Sequence, residues 1–159
     1  MNYPKHALIL AGGLGTRLRE VVNSVPKPMA PINKKPFLEI LINHWIEKGI
    51  KNFYLLIGYK GDVIKSYFGN KYKDANIFYS IEREQLGTGG AFFNALENFR
   101  GIINNEDLIL LNGDTWFDFD FSQLIADSMK TDKSIIVVST EVKSNKRYGE
   151  IKLDSKKNI

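Results

Sequence analysis

A chain of 159 residues with 43% hydrophobic and 25% charged residues suits one globular domain with its own core, and excludes a disordered, collagen-like or coiled-coil protein. The absence of cysteine removes a disulfide framework, a thiolate metal site and a cysteine nucleophile, and fits a reducing, cytoplasmic setting. The net charge of +4 is unevenly spread: residues 1–35 carry Lys5, Arg17, Arg19, Lys27, Lys34 and Lys35 against one acid, Glu20, whereas residues 101–129 carry Glu106, Asp107, Asp114, Asp118, Asp120 and Asp127 and no Lys or Arg.

In chain order, residues 6–11 (HALILA) form a short apolar run ended by glycines, the pattern of a buried parallel strand. Residues 37–48 place apolar side chains at 37, 38, 40, 41 and 45 and predict an amphipathic helix closed by Gly49. A strand follows at 52–57, a short helix at 62–68 and a strand at 76–81. Residues 88–99 predict a helix entered through glycines, and 107–111 a strand leaving into Asn112-Gly113-Asp114. A helix at 121–129 and strands at 134–140 and 150–153 complete the reading. Strands alternating with helices predict an α/β fold with a mainly parallel sheet covered on both faces. In such sheets ligands sit beyond the carboxyl ends of the strands. The turns at 12–15, 82–90 and 112–114 all fall there. No apolar run approaches the roughly 18 residues of a membrane span, the first 13 residues are too short and glycine-broken for a secretion signal, and the basic groups are not interleaved with aromatics. Neither a membrane nor a nucleic acid is therefore an expected partner.

Five motifs carry the chemistry. In AGGLGTRL (11–18), Gly12, Gly13 and Gly15 let backbone N–H groups approach a ligand, and such groups bind phosphate oxygens well. Arg17 adds a planar, permanently charged fork. The run is not a P-loop, because GxxxxGK(S/T) is absent, nor a good dinucleotide fingerprint, because Leu18 stands where the third glycine belongs. In Pro26-Lys27-Pro28, two prolines stiffen the backbone around a lysine suited to a phosphate contact. Asp114, leaving a buried strand, suits magnesium, a hard cation that prefers carboxylate and phosphate oxygens; Asp118 and Asp120 form a more exposed turn beside it. In the run from Glu82 to Gly90 a helix begins near Gly87–Thr88, leaving free N–H groups. There Glu82 or Glu84 could accept from two adjacent donors such as guanine N1 and its 2-amino group, or simply favour the helix dipole. Lys146-Arg147-Tyr148-Gly149-Glu150 suits a phosphorylated sugar or, in isolation, a plain turn. His6 and His44 read as packing or surface residues, and Trp45 and Trp116 as core or pocket-wall aromatics.

Together, AGGLGTRL, VPKPMAPI, LGTGGA, LNGD and RYGEI resemble, in order and across essentially the whole chain, the sugar-1-phosphate nucleotidyltransferases. Within that family the stretches LAGGLGTRLR, VPKPMAPINKKPFLE, EREQLGTGGAFFNAL and LNGDTWFDFDFS are similar to the subgroup that guanylylates a heptose 1-phosphate, with mannose-1-phosphate guanylyltransferases as the next neighbours. The resemblance implies a three-layer Rossmann-like nucleotidyltransferase fold over residues 1–159, a magnesium ion, and a nucleoside triphosphate (GTP favoured) and a sugar 1-phosphate as substrates. It implies that Leu10, Ala11, Gly12, Gly13, Gly15, Thr16, Arg17 and Asn112 hold the triphosphate and that Lys27 contacts phosphate. Glu82, Gly87 and Thr88 then face the base, Asp114 ligates the metal, and Tyr148 and Gly149 border the sugar. Arg17, Lys27 and Asp114 are the expected catalytic set. Family members continue into a Phe-x-Glu-Lys segment and a second metal-binding aspartate. This sequence stops before both, so the resemblance implies a domain truncated at its C-terminus, or an incomplete site. A cytidylyl- or uridylyltransferase, a non-catalytic nucleotide-sugar-binding module of the same fold, and a homo-oligomer remain open.

Overall fold

The computed structural model describes residues 3–13, 25–82, 84, 86–104, 106–132, 134–142 and 150–154. Its elements run β1 (His6–Leu10), a 3-10 turn (Lys27–Met29), β2 (Pro31–Ile32), β3 (Lys35–Pro36), α1 (Phe37–Glu47), β4 (Asn52–Ile57), α2 (Gly61–Phe68), β5 (Lys71–Tyr72), β6 (Ala75–Ile81), α3 (Gly87–Ile103), β7 (Leu108–Asn112) and α4 (Phe121–Ser128). The main sheet has the order β5-β6-β4-β1-β7. All pairs are parallel except β5 with β6. A separate antiparallel pair, β2 with β3, turns through Asn33 and Lys34, both at positive φ.

Alternation along the strands builds two hydrophobic layers. Ala7, Ile9, Phe53, Leu55, Ile57 and Ile77 face Leu38, Leu41, Ile42 and Trp45 of α1, Ile64 and Phe68 of α2, and Phe121 of α4. Leu8, Tyr54 and Leu56 face Ala91, Ala95 and Ile103 of α3. Both faces of β1 and β4 are thereby covered, so these strands appear in the sequence as continuous apolar runs. In α1 the buried positions 38, 41, 42 and 45 follow the 3.6-residue period, and Gly49 at φ 92° takes the left-handed conformation that ends a helix. Each fully buried Leu or Ile contributes about 1.5–3 kcal/mol.

The strand order has a consequence for function. From β1 the chain crosses to β4 and then β6 on one side, and afterwards returns through α3 to β7 on the other side of β1. The connections therefore diverge between β1 and β7, and ligands in open α/β sheets bind at that kind of divergence, beyond the carboxyl ends.

Two expectations need correction. Residues 134–140 do not form a strand: they have no ladder partners among the described residues, and Ile135 is 80% exposed. A β-branched run has strand propensity, but the state is stabilised only by a partner that takes its backbone hydrogen bonds. Residues 150–153 are likewise exposed and irregular. Other elements differ in length. The helix expected at 88–99 continues to Ile103, whose buried side chain anchors its last turn, and Asn104 at φ 43° ends it. The β2–β3 pair and β5 were not anticipated, because two-residue strands carry no periodicity.

Candidate functional site

Each of the four parallel strands leaves the sheet on the same side, and the backbone ladder continues past the strand ends to lock the exits together. Ala11 N–H donates to Leu56 O, Glu82 N–H to Ile57 O and Gly113 N–H to Leu10 O, each at 2.8 Å. These bonds place Leu10, Ala11, Gly12 and Gly13 from β1, Gly58 from β4, Glu82 from β6 and Asn112, Gly113 and Asp114 from β7 along one rim.

Gly12 lies in a close three-way approach. A Cβ on it would fall 2.9 Å from Glu82 Oε1 and 3.2 Å from Gly58 N, and a Cβ on Gly58 would fall 3.0 Å from Gly12 O. Only residues without side chains let the exits of β1 and β4 touch and bring the Glu82 carboxylate against the glycine loop. Gly13 has nothing within 4 Å of the corresponding position and borders open space. Gly113 is spatially constrained too: its Cβ would meet Leu10 O at 2.8 Å.

On the β7 side, Lys27 Nζ donates to Asp114 Oδ2 at 2.6 Å, and Thr115 Oγ1 donates to Asp114 Oδ1 at 3.1 Å. The two charged side chains are 42% and 35% exposed. The lysine backbone is held by the 3-10 turn, where Met29 N–H donates to Pro26 O at 2.8 Å, and by the burial of Pro28 and Met29 beside it. Met29 belongs to the same hydrophobic layer as Leu38 and Trp45. A basic side chain from the first third of the sequence and an acid from the acidic middle thus meet at the divergence of β1 and β7.

Other predicted residues take different positions. Gly87 and Thr88 form the exposed first turn of α3, and Glu84 is exposed. Asp120 is a helix cap: its Oδ1 accepts from Gln123 N–H at 3.0 Å at the start of α4. His6 is buried at the opposite end of β1, with Nδ1 2.9 Å from the Tyr54 hydroxyl and Nε2 3.1 Å from Glu106. Burial pushes Tyr54 up to about 12, so its hydroxyl keeps its proton. His44 packs edge-on against Trp45 and Trp116. Gly15, Thr16 and Arg17, and likewise Lys146, Arg147, Tyr148 and Gly149, lie outside the described residues.

Sequence reasoning missed Gly58 and Thr115. A glycine ending the apolar run 52–57 was the available signal for the first. The second stood next to the predicted aspartate. A cavity of about 820 Å³ runs from Asn112, Thr115 and Trp116 along β7 to residues 134–138; it is lined largely by apolar side chains such as Leu110, Trp116 and Val138.

The arrangement suits a polyphosphate. Backbone N–H groups and a lysine can hold anionic oxygens, and a carboxylate beside them can share a hard cation. Among the described residues no group of three or more His, Asp or Glu side chains could hold a metal ion alone. Magnesium is commonly bound by one or two carboxylates together with phosphates and water, and the exposed Asp114 fits that mode. Among the described residues no helix is long and apolar enough to cross a membrane.

Comparison with known proteins agrees with this architecture. The family model for nucleotidyl transferases matches residues 6–159. D-glycero-alpha-D-manno-heptose 1-phosphate guanylyltransferase of Campylobacter jejuni is 44% identical over 148 residues, covering 93% of this chain and 63% of the relative. The enzyme of the same name from Aneurinibacillus thermoaerophilus is 41% identical, covering 91% and 61%. The crystal structure of HddC from Yersinia pseudotuberculosis complexed with GMP-PN superimposes with a TM-score of 0.75 at 35% identity, covering 96% of this chain and 65% of that one. The chain therefore spans a little under two thirds of the length of these relatives. With the family match extending over nearly all of its residues, the chain belongs to the nucleotidyl transferase family.

Proposed function

We propose that the protein transfers GMP from GTP to a heptose 1-phosphate and releases pyrophosphate, supplying a nucleotide sugar in the cytoplasm for surface polysaccharide synthesis. The observation that carries this is the meeting of the Gly12–Glu82 and Lys27–Asp114 pairs on one rim of the sheet. The names of the 44% and 41% identical relatives support the choice of base and sugar.

An oxygen of the sugar phosphate attacks the α-phosphorus of GTP in line. The new P–O bond forms as the bond from the α-phosphorus to the bridging oxygen of the pyrophosphate breaks. No protein nucleophile is needed, because the attacking phosphate is already an anion. The protein's contribution is position and charge, as in other phosphoryl-type transfers. Amides at Gly12 and Gly13 and the Lys27 ammonium hold the triphosphate, with Leu10 and Ala11 fixing the start of the loop and Gly15, Thr16 and Arg17 completing it. Glu82 accepts from guanine N1 and its 2-amino group, beside Gly87 and Thr88. Asn112 lies at the nucleoside end, and Tyr148 and Gly149 border the sugar. Asp114 would hold magnesium, which would supply Lewis-acid neutralisation of phosphate oxygens when bound.

The test measures pyrophosphate release with GTP, UTP or CTP against heptose 1-phosphate or mannose 1-phosphate. Release with GTP and the heptose substrate, together with at least a hundredfold loss of kcat in Lys27→Ala and Arg17→Ala at near-native Tm, supports the proposal. A protein whose Tm rises with nucleotide but that releases no pyrophosphate is a binding module instead. Preference for UTP or CTP moves the assignment to another base.

A further inference from the structure

Lys27 and Asp114 come from segments 87 residues apart and form a hydrogen-bonded ion pair at 2.6 Å. The pair sits at the divergence of β1 and β7, where the proposed phosphates and metal must sit. Thr115 holds the other carboxylate oxygen. In this arrangement the lysine is neutralised by the acid, and the acid is occupied by the lysine. A phosphate draws on the lysine charge and a cation on the carboxylate charge, so each ligand alone competes with the pair and leaves one charge less well compensated. Both together replace one ion pair with two.

We propose that Lys27 and Asp114 serve as mutual counter-ions that make nucleotide and divalent cation bind interdependently, each releasing the residue the other requires. This rests on the reading of Asp114 as a metal ligand and Lys27 as a phosphate contact. Both side chains are over one third exposed, which keeps the contact weak enough to open at each binding event, because exposed pairs have small net strength. Linkage is reciprocal, so whatever magnesium gains from GTP, GTP gains from magnesium.

The consequence is counter-intuitive and measurable. With EDTA present, Asp114→Asn releases Lys27 and tightens GTP binding about three- to fivefold relative to wild type, although it removes a metal ligand. With magnesium present the variant loses that advantage. Loss of one negative charge would also tighten binding through simple repulsion, so the cycle is completed with Lys27→Met and the double variant. In the Lys27→Met background, Asp114→Asn changes GTP affinity by less than about twofold. All four proteins are titrated with GTP by calorimetry in EDTA and again in magnesium. A gain of equal size in both backgrounds, or no gain in either, overturns the counter-ion role while leaving the nucleotide site standing. Absence of GTP binding in all four proteins under both conditions overturns the nucleotide reading and this proposal with it.

Discussion

Gly58 tests whether the close approach of the strand exits matters for ligand binding as well as for packing. In Gly58→Ala the new methyl carbon lies 3.0 Å from Gly12 O and 3.5 Å from Gly12 Cα. Ordinary contact begins near 3.4 Å, so the Gly12 carbonyl must withdraw by about 0.4 Å. The displaced atoms are backbone, with no rotamer to relieve the clash. Overpacking costs about 1–3 kcal/mol, and an exit loop open to solvent on one side belongs near the low end. At about 1 kcal/mol, Tm falls by roughly 2–4 °C for a chain of this size. Ligand binding is the more sensitive readout, because Gly12 presents its backbone to the proposed triphosphate and touches Glu82. The expected result is a five- to tenfold rise in KM for GTP, about 1.0–1.4 kcal/mol, with a smaller change in kcat. Steady-state kinetics and thermal melts on the same preparation separate the two effects. A lowered Tm with wild-type KM would refute the argument that Gly58 positions the glycine loop. No change in either would refute the close approach itself.

The remaining predictions address neighbouring features. Gly13→Ala places a methyl where nothing lies within 4 Å; Tm stays at the wild-type value while GTP affinity falls several-fold, measured by melts and titration. Asp120→Ala removes the cap on Gln123 N–H and costs about 1 kcal/mol, read as a lower Tm with unchanged magnesium dependence; a changed dependence would add Asp120 to the metal site. Glu39 is buried in α1, and the Tyr67 and Tyr72 hydroxyls donate to its carboxylate. The Tyr67 bond foremost holds its pKa below the ordinary 4.5, against the opposing effect of burial. A depressed folded-state value gives stability that is present above about pH 4.5 and lost as pH falls through the lower folded value. Melts of wild type and Glu39→Gln should therefore differ most near neutrality and converge in acid; a constant difference would refute the titration.

The sheet was legible where burial on both faces made the strands unbroken apolar runs, as at residues 6–10 and 52–57, and where a 3.6-residue period marked α1. It was not legible where structure depends on a partner distant in sequence. Residues 134–140 have the composition of a strand, but composition does not supply a ladder. The pair Pro31–Ile32 and Lys35–Pro36 exists because Asn33 and Lys34 turn left-handed between them, and neither residue announces this alone. The site divides the same way. Gly12, Glu82, Lys27 and Asp114 were visible as residue types suited to phosphate, base and metal, and the strand-exit rule placed three of them on one rim. Gly58 was passed over because its role is to be absent as a side chain, which shows only when Gly12 is set against it.

The uneven charge distribution in the sequence acquires a physical reason from the strand order. Because β1 lies between β4 and β7, the segment leaving β1 and the turn leaving β7 are neighbours, and the chain between them reaches the same rim through the proline-stiffened turn at Lys27. A site that binds a polyphosphate with its cation needs positive charge for the oxygens and a carboxylate for the metal, within a few ångströms of each other. In water such groups neutralise one another when no ligand is present. If both stood on one loop, the pair would be local and hard to separate. Placed on segments 87 residues apart and joined only through exposed tips, it opens without disturbing Met29 or the strand exits beneath. On the proposed reading, the fold thus holds Lys27 and Asp114 at fixed backbone positions and leaves only their side chains to exchange partners with nucleotide and metal.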